Sequence, residues 1–168
     1  MEYGLLLLRL VVGLLFAGHG AQKLFGWFGG AGPQGTTGFL ASLGYRAPAA
    51  MAIVVGLSEL GGGLLLACGF LTPLASFLLA TVMLNAIATV VWPKGFFGGY
   101  EFEMTLATVA VALAATGPGE FSVDDAIGWE DELSGILWAS LVLSSAIVVS
   151  VITTTLGRGT ADLDDIPG

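Results

Sequence analysis

Six polar residues that could do chemistry lie inside long apolar segments of this chain. They are His19, Gln22, Lys23, Glu59, Asn85 and Glu103. A charged side chain in hydrocarbon costs at least about 2.5–3.5 kcal/mol on insertion scales, so ionisable groups inside a membrane usually serve a partner or a task. Their types suit proton exchange and hydrogen bonding to a small molecule, with imidazole and carboxylate as the proton-exchanging groups.

The spacing of these residues places them at similar depths in a membrane. At 1.5 Å per helical residue, His19 lies roughly 21 Å from the outer face, Glu59 about 17 Å, Asn85 about 18 Å and Glu103 about 22 Å. His19 and Lys23 are four residues apart and share a helix face. An ionised Glu59 also needs a cation nearby. We therefore predict one polar layer in the inner half of the membrane, which either binds a ligand or joins the helices by hydrogen bonds.

The elements that must position this layer are apolar helices. The chain has 168 residues, 55% of them hydrophobic and 11% charged, against about 25% charged in an average globular domain. Continuous apolar runs exclude a β-barrel and favour helices, since lipid leaves the backbone few other ways to form its hydrogen bonds. The predicted segments are 5–24, 49–70, 73–92, 103–117 (starting as early as Tyr100) and 134–156.

These segments predict an all-α polytopic membrane protein, with an antiparallel four-helix transmembrane bundle and an additional C-terminal transmembrane helix. Residues 1–119 form the bundle, 120–133 an acidic interfacial connection, 134–156 the fifth helix and 157–168 an acidic tail. Within the connections, we expect Thr36 to cap a short helix at the lipid surface and Ser122 to open another through a capping box with Asp125. Arg9 is expected to snorkel to the outer face or to pair locally.

The charged residues orient the bundle and limit its partners. The net charge is −8, which argues against nucleic acid as a partner and resembles the acidic surface of a halophile's protein. Four basic residues fall on one side of the predicted bundle, and they are Lys23, Arg46, Lys94 and Arg158. By the positive-inside rule, the N-terminus lies outside a plasma membrane and the C-terminus in the cytoplasm. A lone cysteine, Cys68, gives no internal disulfide, and one histidine with scattered carboxylates gives no metal site.

An aromatic, glycine-rich loop follows the third helix on the same side. It begins with Trp92, Pro93 and Lys94 and continues as GFFGGY. It either covers an amphiphilic ligand such as a quinone head group or forms a turn within the aromatic belt of the membrane interface.

Several motifs together resemble the DoxX family of small membrane proteins. They are LLLRLVVGLLFAGHGAQKLFGWFGG, GTTGFLASLGY, GLSELGGGLLLACGFLTPLA and WPKGFFGGYEFE, which occur in this order between Met1 and Gly119. The resemblance implies a four-helix membrane bundle linked to redox systems, among them a thiosulfate:quinone oxidoreductase subunit and complexes with thiol-handling or superoxide-removing enzymes. It also marks a set of residues for function: His19, Gln22, Lys23, Glu59, Trp92, Pro93, Lys94, Gly95 and Glu101.

Three functions follow from the residues and the resemblance. In the first, the protein is a membrane subunit of a redox-linked complex that has no electron carrier of its own and binds a quinone at the polar layer. His19 then exchanges a proton with the ligand, Glu59 orients it, and Lys23 stabilises developing negative charge. In the second, the protein carries a small molecule or ion, and Glu59 is the coupling carboxylate. In the third, it is a non-catalytic scaffold for soluble redox partners. Small residues on several helices also permit a homo-oligomer.

Overall fold

The fold is a bundle of helices, seen in a computed structural model that describes residues 2–129 and 133–159. The described ranges contain no β-strand, apart from an isolated bridge between Tyr45 and Arg158. Their α-helices are α1 (Glu2–Phe25), α2 (Gly32–Ser42), α3 (Pro48–Cys68), α4 (Thr72–Ala86), α5 (Glu101–Thr116), α6 (Val123–Ala126) and α7 (Gly135–Thr155).

Four helices in the described part of the chain are long and apolar enough to cross a membrane. They are α1, α3, α7 and a segment that begins with α4 and runs on to Lys94. The predicted all-α polytopic membrane fold is therefore confirmed. The remaining predicted segment forms α5, whose 16 residues span about 24 Å, somewhat less than a hydrocarbon core of about 30 Å.

Helices α1 and α3 pack backbone to backbone. A Cβ added at Gly20 would lie 2.3 Å from the Leu60 nitrogen, and one added at Gly63 would lie 2.5 Å from the Gly13 oxygen. Helices in lipid gain little from the hydrophobic effect, so close approach through small residues is a main source of their association. This tight pairing fixes α1, which carries His19 and Lys23, against α3, which carries Glu59.

The core of the bundle is built around α4, which packs against α3, α5 and α7. Leu79 and Ala75 of α4 meet Leu66 of α3, Ala110 of α5 and Ala146 of α7 in one buried cluster. The predicted fifth transmembrane helix is thus a packed part of the bundle, although most of its surface stays exposed to the surroundings.

At the bundle end that holds α6, the Arg9 side chain does not extend to the surface. Arg9 is fully buried instead of extending to the surface, and its guanidinium donates a hydrogen bond to the Phe121 carbonyl. The prediction for Arg9 is thus wrong, because its partner lies 112 residues away in sequence and the side chain neither snorkels nor pairs locally. Asp124 of α6 accepts from the Leu71 nitrogen at 2.9 Å and the Thr72 nitrogen at 3.2 Å. These contacts attach the short helix to the bundle.

The two predicted helix caps have opposite outcomes. The Asp125 nitrogen donates to Ser122 Oγ at 3.1 Å, so Ser122 caps α6 as predicted. The cap at Thr36 is wrong, because α2 begins four residues earlier, at Gly32 next to Pro33. Pro33 suits a first helical turn since its missing N–H has no partner there. The Thr36 hydroxyl instead donates back to the Gly32 carbonyl at 2.8 Å. Residues 130–132 of the predicted acidic connection, and the acidic tail from residue 160, lie outside the described residues.

The opposite end of the bundle brings several connections together. Arg46 is exposed, and its backbone nitrogen donates to the Gly157 carbonyl at 2.9 Å. Arg158 Nε donates to the Leu43 carbonyl at 2.7 Å. Two of the four basic residues used for orientation therefore lie at the same end, beside the C-terminal end of α7.

Candidate functional site

A cavity of about 510 Å³ lies between α1, α2, α3, α4, α5 and α7. Five residues of the predicted polar layer line it, and they are His19, Lys23, Glu59, Asn85 and Glu103. They come from four different helices, so their meeting depends on how the helices pack. The volume falls in the range of about 300–1,000 Å³ that is usual for small-molecule sites.

Lys23 and Glu59 form an ion pair across the α1–α3 interface. The Lys23 ammonium donates a hydrogen bond to Glu59 Oε2. The side chain of Glu59 is 4% exposed and that of Lys23 is 29% exposed. His19 lies one turn before Lys23 and lines the same cavity. The cation that Glu59 needs is therefore Lys23, which belongs to the same cavity wall.

Asn85 forms a hydrogen-bond network that joins α4 to α7. Its amide nitrogen donates to Ser150 Oγ at 2.9 Å and to the Thr81 carbonyl at 2.9 Å. Its amide oxygen accepts from Thr153 Oγ1 at 2.7 Å. The side chain that was predicted to belong to the polar layer thus holds the fifth helix against the cavity. Thr153 also lines the cavity.

Sequence reasoning missed the hydroxyl residues of this wall. Thr81, Asn85 and Thr89 line the cavity and follow one another at intervals of four residues. That spacing puts them on one helix face, so the signal was present in the sequence. The helix departs from α geometry just after Asn85, in a wider π-type turn over Ile87–Val91, and such turns are frequent at functional sites.

Glu103 stands in the first turn of α5 and faces the cavity. Its Oε2 is buried and accepts no hydrogen bond from any residue that the structure describes. Buried polar atoms nearly always have a partner, because an unsatisfied one costs about 1–3 kcal/mol and more when charged. Glu103 is thus a hydrogen-bonding group still available within the site.

The rest of the cavity is mostly apolar and reaches the outside of the bundle. Phe39, Val54 and Phe102 line it, and each is at least 50% exposed. Tyr45, between α2 and α3, is a buried polar exception. Burial raises the pKa of the Tyr45 phenol above its ordinary value, so this hydroxyl is neutral at physiological pH. The shape and lining suit a molecule with a polar head and an apolar body.

Six predicted site residues lie outside the lining of this cavity. Gln22 Nε2 donates to the Phe28 carbonyl at 3.4 Å and supports the loop after α1. Trp92 stacks on Tyr100 with ring centroids 5.4 Å apart. Lys94 is exposed in a short helical turn, and Glu101 is the first residue of α5. Pro93 belongs to the same turn, and Gly95 ends it with a φ of 79°, which suits glycine.

The fold and the site define a class, the small polytopic all-α membrane proteins with a largely apolar cavity inside the bundle that a few polar side chains line. The family model named DoxX matches residues 4–92, and the chain belongs to this family. The match ends at Trp92, within the last of the motifs quoted above, whereas the predicted family domain continues to Gly119.

Two curated proteins illustrate the relationship. The chain is 36% identical over 123 residues to "Putative oxidoreductase CatD" of Bacillus subtilis, covering 73% of this chain and 86% of that protein. It is 29% identical over 128 residues to "Inner membrane protein YqjF" of Escherichia coli, covering 73% of this chain and 91% of that protein. No solved structure matches the chain.

Proposed function

We propose that this protein is the membrane subunit of a redox-linked complex and that its cavity binds a quinone or another amphiphilic molecule. One observation carries the proposal. Ionisable and amide side chains from four helices line an otherwise apolar cavity that reaches the lipid-facing surface of the bundle. Such a site suits a molecule that enters from the bilayer and places its polar head deep in the protein. The name of the Bacillus subtilis relative, an oxidoreductase, is in keeping with it.

The residues of the site divide the work between them. Lys23 and Glu59 hold each other in place and present an ammonium group where negative charge develops on a carbonyl ligand. His19 exchanges a proton with the ligand, because imidazole changes its charge near neutral pH. Asn85 fixes α7 against the cavity through Ser150 and Thr153. A quinone supplies the two-electron chemistry when bound, and a partner enzyme supplies the electrons.

The test measures quinone in the purified protein. The protein is extracted with its surrounding lipid, and quinone per mole of protein is determined by chromatography against quinone per mole of lipid in the same membrane. We expect enrichment in the natural protein and its loss in His19→Ala and Glu59→Gln. Arg46→Ala is the control, because Arg46 is an exposed charged residue outside the cavity lining, and this variant keeps the enrichment.

Equal quinone levels in the protein and in the bulk lipid would contradict the proposal. Native mass spectrometry of the same preparation reports a bound redox partner. Uptake of a solute into liposomes that depends on pH and is lost in Glu59→Gln would favour the carrier function instead. Stoichiometric partner binding without any small ligand would favour the scaffold.

A further inference from the structure

The polar groups of the cavity differ in what they can still bind. The charges of Lys23 and Glu59 cancel within their ion pair. Both ends of the Asn85 amide are engaged by α7 hydroxyls and by the Thr81 carbonyl. Each of these three side chains therefore has a hydrogen-bond partner within the protein.

Glu103 is in the opposite situation. Its Oε2 is buried at the cavity wall and accepts no hydrogen bond from the described residues. A carboxyl oxygen that carries no hydrogen accepts hydrogen bonds but donates none. A ligand whose head group also only accepts, such as a quinone with two carbonyls, therefore leaves this oxygen without a partner. A head group with a hydroxyl satisfies it.

The ligand's charge can be decided on similar grounds. Moving an ammonium group from water into a largely apolar cavity costs far more than moving a hydroxyl. Access from the bilayer, past Phe39, Val54 and Phe102, also favours a neutral molecule. A neutral hydroxyl donor therefore fits better than a cation.

We infer that the cavity prefers a neutral, hydroxyl-bearing aromatic head group, of the hydroquinone class, and that Glu103 is the residue that accepts its hydrogen bond. This inference rests on the proposed function and extends it, because it assigns Glu103 as the group that determines which ligand is preferred. It also predicts that the protein distinguishes the reduced form of a redox pair from the oxidised form of the same carbon skeleton.

The experiment compares two probes, durohydroquinone and duroquinone, which share one carbon skeleton and differ by two hydrogen atoms, so that two hydroxyl groups in the first replace two carbonyls in the second. Binding is measured by calorimetry under anaerobic conditions, with the protein in phosphatidylcholine nanodiscs and empty nanodiscs subtracted. We expect durohydroquinone to bind about ten times more tightly than duroquinone, which is the effect that one well-formed hydrogen bond has on affinity. Glu103→Leu should remove the preference.

Glu103→Gln is a stronger test, since it predicts a gain in affinity for one probe and not only the loss of a preference. The glutamine amide can donate a hydrogen bond to a quinone carbonyl. The variant should therefore bind duroquinone more tightly than the natural protein does. Glu120→Gln is the control, because Glu120 is an exposed glutamate outside the cavity lining, and it should keep the original preference. Thermal unfolding midpoints confirm that each variant is folded.

The outcomes separate the two proposals. Equal binding of both probes, or a preference that Glu103→Gln and Glu103→Leu leave unchanged, overturns the role of Glu103 while the proposed function stands. Binding of neither probe, in a protein that also carries no enriched quinone, overturns both.

Discussion

Removing the ammonium group of Lys23 should strongly destabilise the bundle. Lys23→Met leaves the Glu59 carboxylate, 4% exposed, without its cation. Breaking a buried pair by removing one partner costs about 3–5 kcal/mol, because the remaining charge stays in a medium that solvates it poorly. Lys23 is 29% exposed, so the pair is only partly desolvated, and we expect the lower limit of about 3 kcal/mol.

The reverse substitution should be milder. Glu59→Met leaves a lysine whose stem can move and whose ammonium can turn towards water, so we expect a loss of about 1 kcal/mol. The double variant Lys23→Met/Glu59→Met replaces both charges by apolar groups of similar volume. Such replacements are often neutral or stabilising. The double variant should therefore be more stable than Lys23→Met alone.

The assay is denaturant or thermal unfolding of the four proteins in the same detergent, followed by circular dichroism and analysed as a double-mutant cycle. A loss of about 3 kcal/mol lowers the unfolding midpoint of a chain of this size by about 6–12 °C. Two results would refute the reasoning. One is a Lys23→Met variant no less stable than Glu59→Met. The other is a double variant whose loss equals the sum of the two single losses.

Two further predictions concern the packing and the orientation of the bundle. Gly20→Ala should lower stability by about 1–3 kcal/mol, since its Cβ would lie 2.3 Å from the Leu60 nitrogen. Gly18→Ala is the control in the same unfolding assay, because a Cβ at Gly18 would meet open space. Equal losses in the two variants would contradict the tight α1–α3 contact. In a variant without the native cysteine, Ile127→Cys should react with an impermeant maleimide in intact cells and Lys94→Cys only after permeabilisation, whereas the reverse pattern would invert the proposed orientation.

The sequence predicted the polar layer because the cost of burying charge in lipid makes such residues conspicuous. Rise per residue alone put His19, Glu59, Asn85 and Glu103 at similar depths, and the structure brings all four to one cavity. Depth in the membrane follows directly from residue number, because each residue of a helix adds the same rise along its axis. Whether the layer binds a ligand stays a prediction.

What depth could not predict was which side chains pair. Lys23 meets Glu59 because the α1–α3 backbones approach closely at glycines, and this depends on the rotation of each helix about its axis. Arg9 is buried against the loop that leads into α6, instead of snorkelling, because a carbonyl 112 residues away in sequence accepts its hydrogen bond. A contact of that separation leaves no periodic signal in the sequence.

The amino-acid sequence by itself determined that this is an all-α membrane protein of the DoxX type with ionisable groups at one depth, since hydropathy and helical rise are properties of consecutive residues. Only the tertiary structure decided how those groups are used. Helix packing satisfied Glu59 with Lys23 and Asn85 with α7, and it left Glu103 Oε2 without a partner among the described residues. The physical reason is that hydrogen bonds between helices depend on their relative rotation and separation, which packing between distant segments sets.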